Sequence, residues 1–81
     1  MKSIDQVLTE LTPIFRDALD DGQLLPTADM SARDVEGWDS FTHTQLIVAI
    51  ERHYGIKFPL KEVLNFRSVG DMCGAVLRLT R

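Results

Sequence analysis

Gly37-Trp38-Asp39-Ser40-Phe41 is the stretch on which the fold turns, because an acidic loop ends there and an apolar-periodic helix begins. Asp39 and Ser40 each carry an oxygen able to accept from an orphan amide of a first helical turn, so either can cap the helix that follows. Ser, Thr, Asp and Asn are the usual residues at helix starts, and capping alone explains a serine at this place. The same hydroxyl is the chain's candidate for covalent modification.

Advancing about a hundred degrees per residue after Ser40 puts His43, Leu46, Ile47, Ile50 and Tyr54 on one stripe, which must face a core. Phe41 and Val48 project to nearly the opposite side with Gln45 and Arg52, where two apolar residues are left for a partner. Gly55 stops the helix and Pro59 cannot continue it, so the chain turns through Gly55-Ile56-Lys57-Phe58-Pro59. Leu60, Val63, Leu64 and Phe66 then fit a short helix that needs its neighbours to stand. Ser68-Val69-Gly70-Asp71 offers a further cap, and Val69, Met72, Cys73, Val76 and Leu79 form the stripe of a last helix running nearly to the C-terminus.

Upstream of the loop, Ser3 and Gln6 are spaced as a capping box, and Ile4, Val7, Leu8, Leu11, Ile14, Phe15 and Ala18 repeat at three- and four-residue steps. Pro13 removes an amide donor within this helix and predicts a kink or local break. Asp20-Asp21-Gly22 closes it, with glycine suited to the left-handed position. From Gln23 to Gly37 no period is sustained, but Leu24, Leu25, Met30 and Val35 recur often enough to tuck the loop against the core. With no strand-period segment, the sum is an all-α fold of one domain over 1–81: a small four-helix bundle, three helices longer and one short, with a long first loop. Leu8, Leu11, Phe15, Leu46, Ile50, Tyr54, Val69 and Val76 supply much of its core.

Eighty-one residues, 44% hydrophobic and 26% charged, suit one small globular unit. The N-terminus shows no continuous apolar segment after its lysine and no run reaches membrane-spanning length, which predicts a soluble cytoplasmic protein. The net charge of −3 is concentrated: Asp17, Asp20, Asp21, Asp29, Asp34, Glu36 and Asp39 stand against Arg33 alone. That field repels nucleic-acid phosphates and attracts basic protein surfaces.

The sharper chemical alternatives fail on their own terms. Asp17, Asp21 and Gly22 match three places of a calcium loop, but Leu19 and Ala28 stand where further ligands are required. Ser40, His43 and Asp39 list the residue types of a catalytic triad, yet His43 lies on the core stripe and a domain this small has little volume for a cleft. His53 borders that stripe and is read in the same way, as a packed histidine. Cys73 sits among apolar positions without a cationic neighbour, the scattered glycines build no phosphate loop, and Cys73, His43 and His53 have no zinc-like spacing.

Taken in order, Trp38-Asp39-Ser40-Phe41 after an acidic loop, Gly55-Ile56 at the end of the second helix and Ser68-Val69-Gly70-Asp71 before the last resemble the acyl carrier protein family across nearly the whole chain. The resemblance implies a carrier that catalyses nothing itself and holds acyl groups as thioesters on a 4′-phosphopantetheine arm. That arm would be moved from coenzyme A onto Ser40 by a phosphopantetheinyl transferase, with Asp39 helping the transferase recognise the site. It further implies a monomer that inserts in no membrane and presents its cargo to loading, condensing or transferase enzymes of fatty-acid, polyketide or related biosynthesis. Phe41, Gln45, Val48 and Arg52 would be the docking strip, flanked by Asp34 and Glu36.

The chain also departs from the family pattern. Glu51 is the only carboxylate of the second helix after Asp39, Phe41 replaces the usual leucine, and Thr44 stands where an aliphatic residue is commoner. These departures point to a specialised carrier with weaker generic docking. The alternatives are a D-alanyl or other aminoacyl carrier, and a helical adaptor with the fold but no arm. The acidic stretch from 17 to 39 repels itself at low ionic strength. The melting temperature is therefore expected to rise as salt or a divalent cation is added, and a flat titration would contradict this.

Overall fold

The computed structural model describes residues 2–80, so Met1 and Arg81 of the expected 1–81 domain lie outside the described residues. Four α-helices follow in order: α1 Ile4–Ala18, α2 Ser40–Tyr54, α3 Leu60–Asn65 and α4 Val69–Leu79. A 3₁₀ turn, Ala32–Asp34, interrupts the long first connection. Helix α1 packs against both α2 and α4, and no strand occurs among the described residues.

Val7, Leu11 and Phe15 of α1, Leu46, Ile47 and Ile50 of α2, and Val69, Met72, Cys73, Ala75 and Val76 of α4 make one buried cluster. Trp38 and Phe58 join it from the connections. Of the core expected from the sequence, Leu8 and Tyr54 are only half-buried at its margin. Tyr54 is held there by its phenol, which donates to Glu10 Oε1 at 2.6 Å; burial, then the carboxylate beside it, pushes the Tyr54 hydroxyl pKa well above the usual range.

The ends of α1 show which local signals were correctly placed. Gln6 N donates to Ser3 Oγ at 3.3 Å and Ser3 N to Gln6 Oε1 at 2.8 Å, closing the capping box. Pro13 does not break the helix, which is continuous to Ala18. Pro13 and Thr9, whose carbonyl loses its amide partner, are both exposed, so water can satisfy that oxygen while Leu11 and Phe15 anchor the other face. The left-handed residue after α1 is Asp20, at φ 52°, and not Gly22. Asp21 N reaches the Arg16 carbonyl at 3.0 Å and Asp20 N the Asp17 carbonyl at 3.4 Å, a paired closure that needs the positive φ one residue past Leu19. Aspartate tolerates this conformation better than most side chains.

The loop is ordered against α4. Val69 N donates to the Met30 carbonyl and Gly70 N to the Ala28 carbonyl, both at 2.8 Å. Leu24, Met30 and Val35 pack on the core as expected, whereas Leu25 is 69% exposed and Pro26 is buried beside it. A short run of loop cannot turn both neighbouring residues inward, and proline carries no amide to satisfy there. Gly70 is required by proximity: a Cβ would stand 2.9 Å from the Ala28 carbonyl oxygen, a backbone atom that cannot swing away. Gly70→Ala is expected to lose about 1–2 kcal/mol despite its better helix propensity. Urea unfolding measures that loss, and faster hydrogen exchange at Val69 and residue 70 would locate it.

Candidate functional site

The start of α2 is fixed by a reciprocal cap between Asp39 and Thr42. Asp39 Oδ1 accepts from Thr42 N at 2.9 Å, and Thr42 Oγ1 accepts from Asp39 N at 2.7 Å while lying 2.9 Å from the Gly37 carbonyl oxygen, to which it donates. Gly37 supports this clamp with φ 87°, a backbone conformation that side chains disfavour. The Thr42 backbone amide, and after it the Thr42 hydroxyl, hold the Asp39 carboxyl below its ordinary pKa, as a capping carboxylate at a helix N-terminus should be.

With Asp39 as the cap, Ser40 becomes the first helical residue and is exposed. The hydrogen bonds at this corner use Asp39, Thr42 and the carbonyls of Gly37 and Ser40, the last accepting from Thr44 Oγ1 at 3.0 Å. Among the described residues the Ser40 hydroxyl is engaged by none of them. The sequence left Asp39 and Ser40 as competing caps; the second residue of the box, Thr42, was not anticipated, although Asp-x-x-Thr carries the signal.

Behind the exposed corner lies a buried aromatic wall. Trp38 is 9% exposed, its ring tilted against Phe15 with centroids 5.6 Å apart. Its indole Nε1 donates to His43 Nδ1 at 3.2 Å. His43 is therefore the packed, hydrogen-bonded histidine that its place on the core stripe required, and burial lowers its pKa. Its Nδ1 is committed to Trp38, so no Ser40–His43 nucleophile pair is assembled. His53, by contrast, is exposed and meets Tyr54 edge-on at 4.7 Å, outside the core to which the sequence assigned it. It stands near the helix end, where it lines an open groove with Glu10, Ile14 and Asp17 of α1. Cys73 is fully buried, and desolvation pushes its thiol up to about 11.

Phe41, Gln45, Val48 and Arg52 are all exposed on α2, Phe41 at 70% and Val48 at 40%. Asp34 and Glu36 are exposed in the loop before it, but Asp34 is occupied locally: Oδ2 accepts from Ser31 N at 2.9 Å. Glu51 is turned away from the strip, its Oε2 accepting from Phe58 N at 2.7 Å and bracing the α2–α3 turn. No helix is long and apolar enough to cross a membrane among the described residues.

Residues 9–76 match the phosphopantetheine attachment site family. The chain belongs to the acyl carrier protein family. The acyl carrier protein of Acidothermus cellulolyticus is 29% identical over 82 residues, covering 96% of this chain and 93% of that protein. The solution NMR structure of holo acyl carrier protein from Geobacter metallireducens superposes with a TM-score of 0.84 at 44% identity, over 89% of this chain and 83% of that one. The prosthetic group of this family is covalently attached 4′-phosphopantetheine, and its members are carriers that work with phosphopantetheinyl transferases and biosynthetic enzymes.

In this carrier the cap and the exposed serine are separable. Asp39→Ala is expected to lower the melting temperature by about 5 °C, while Ser40→Ala leaves it within about 1 °C. The Asp39 carboxyl is depressed in the folded state, so its contribution is present above its ordinary value of 3.8 and is lost as pH falls through the lower folded value. The gap between wild type and Asp39→Ala should therefore close in acid, as thermal melts followed by circular dichroism at descending pH would measure.

Proposed function

We propose that the chain is one carrier unit in which Ser40 Oγ bears the phosphopantetheine arm. The observation that carries this reading is the division of labour at the α2 entrance: Asp39 and Thr42 satisfy the helix start, leaving an exposed hydroxyl one residue on with no structural duty. That hydroxyl also fits a phosphodiester. It lies in the first turn of a fifteen-residue helix, where the macrodipole favours negative charge. The arm supplies a terminal thiol that holds an acyl group as a thioester, with the tether raising the cargo's effective concentration at each partner enzyme.

The chain's own residues hold the attachment point and choose the partner. The Asp39–Thr42 clamp fixes the direction in which Ser40 leaves the surface, and Asp39 presents a carboxylate beside it for a transferase to recognise. Phe41 and Val48 give the docking strip an apolar centre, with Gln45 and Arg52 beside them and Asp34 and Glu36 flanking. Glu51 is spent on the Phe58 amide, so the strip has no free carboxylate of its own. A partner with a basic patch gains little from it, which supports a specialised carrier serving a dedicated polyketide, modified fatty-acid or aminoacyl pathway in the cytoplasm, where coenzyme A is available as arm donor.

Incubation with coenzyme A and a broad-specificity phosphopantetheinyl transferase, followed by intact mass, tests the assignment. Wild type is expected to gain one phosphopantetheine increment and Ser40→Ala none while staying folded. An increment on the alanine variant would remove Ser40, and unmodified wild type alongside a working control carrier would favour an adaptor.

A further inference from the structure

Trp38 is the chain's only tryptophan, and its backbone stands between the two groups that Thr42 grips. Thr42 Oγ1 donates to the Gly37 carbonyl at 2.9 Å and accepts from Asp39 N at 2.7 Å. The carbonyl lies in the peptide plane before Trp38 and the amide in the plane after it. Peptide planes are rigid, so φ and ψ of Trp38 are the only soft angles between them. Whatever fixes the Trp38 side chain therefore bears on the clamp and on Ser40, the next residue but one.

Two contacts fix that side chain. The indole tilts against Phe15 with centroids 5.6 Å apart, and Nε1 donates to His43 Nδ1 at 3.2 Å. The first contact is apolar and indifferent to pH. The second is conditional, because an indole N–H can only donate and the nitrogen it meets must carry a lone pair, which makes His43 neutral with its proton on Nε2. A proton added to Nδ1 sets two N–H groups face to face and leaves both without an acceptor there. Burial disfavours that state and holds the His43 pKa below its ordinary 6.5. Arg67, from the connection before α4, is the charged residue lining the small pocket that His43 and Trp38 share, and it is a cation. The Asp34, Asp71 and Asp39 carboxylates keep their charge beside it, but each accepts from a backbone amide, that of Ser31, Arg67 and Thr42 respectively. The neighbours from α4 and α1 are Met72 and Phe15, which do not titrate in this range. Among the described residues no acid is hydrogen-bonded to His43 to favour its protonated form.

We propose that His43 is a positioning residue for modification at Ser40: its Nδ1 lone pair locks Trp38, and Trp38 holds the Asp39–Thr42 clamp in the geometry from which Ser40 Oγ reacts. The proposal rests on the carrier reading with Ser40 as attachment residue. Attachment forms a bond from Ser40 Oγ to the pantetheine-side phosphorus of coenzyme A, breaks the pyrophosphate bond and releases adenosine 3′,5′-bisphosphate, the hydroxyl proton passing to the transferase or to water. Such a displacement needs the oxygen in line with the leaving group, so a small turn of the corner is felt in the rate. His43 touches no reactant and acts through Trp38. Acid uncouples it, and the corner loosens while Leu46, Ile47 and Ile50 keep α2 packed on the core.

The test compares wild type, His43→Asn and His43→Phe as full chains. Asparagine places Oδ1 where Nδ1 stands and accepts without titrating, whereas phenylalanine keeps a ring and removes the acceptor. Circular dichroism checks the fold at each pH, and intact mass checks loading at Ser40. The kcat/KM of a broad-specificity phosphopantetheinyl transferase is measured on each chain from about pH 8 down to about pH 5, the range in which a histidine titrates. Dividing wild type by His43→Asn cancels the transferase's own titration. That ratio is expected to be constant above pH 6.5 and to fall below it, through the midpoint at which the Trp38 indole N–H signal moves in NMR spectra. His43→Phe is expected to be about tenfold slower than wild type at neutral pH, with His43→Asn near the wild-type rate. A ratio that stays flat with pH while both chains are folded would overturn the proposal, as would a His43→Phe chain as fast as wild type. Should His43→Phe not fold, the ratio of wild type to His43→Asn decides alone. Absence of loading at Ser40 in all three, with a control carrier modified, would bring down the carrier reading and this proposal with it.

Discussion

The two hydrogen bonds from Val69 and Gly70 to the Met30 and Ala28 carbonyls hold the structure to its plan. Helix α4 begins with orphan amides, and here two of them are satisfied by the long first connection rather than by water. The connection thereby becomes part of the wall of the bundle. From that anchored point the chain has few residues in which to deliver Trp38 inward against Phe15 and Asp39 outward to cap α2. The close approach is possible only because residue 70 lacks a Cβ. Remove it, and the buried indole and the exposed serine lose their common reference.

Helix existence and type were legible because α1, α2 and α4 each bury one stripe, and stripes are periodic. Leu11, Phe15, Leu46, Ile50, Val69 and Val76 were placed correctly for that reason. Trp38 and Phe58 were not found, since both sit in connections where no period exists and burial is decided by tertiary contact. The helix ends divided in the same way. The Ser3 box and the left-handed Gly55 are local patterns. At the end of α1 two acids and a glycine competed, and the carbonyl geometry, which favours the residue just past Leu19, chose Asp20. The exposed serine at the head of α2 stands in a string the sequence singled out. Its separation from the capping role lay in the Asp39–Thr42 spacing, a local signal that the reading of the sequence passed over.

Charge on α2 tells a related story. A count of acids on that helix suggests one carboxylate for docking, but Glu51 points back to the Phe58 amide and behaves as part of the turn. What remains outward is apolar and mixed polar, and the negative residues lie in the loop. On the docking strip proposed above, recognition by a partner would thus draw on shape around Phe41 and Val48 more than on long-range attraction, with slower encounter and a stronger dependence on fit.

The burial of Cys73 has a chemical consequence for a protein whose business is thioesters. A thiolate is the nucleophile that exchanges acyl groups between sulfur atoms. The chain has one cysteine of its own, wholly inside the bundle and with its pKa pushed up to about 11, so at neutral pH it is a protonated thiol that no thioester reaches. The chain's own sulfur is thereby kept from intercepting a thioester carried at its surface.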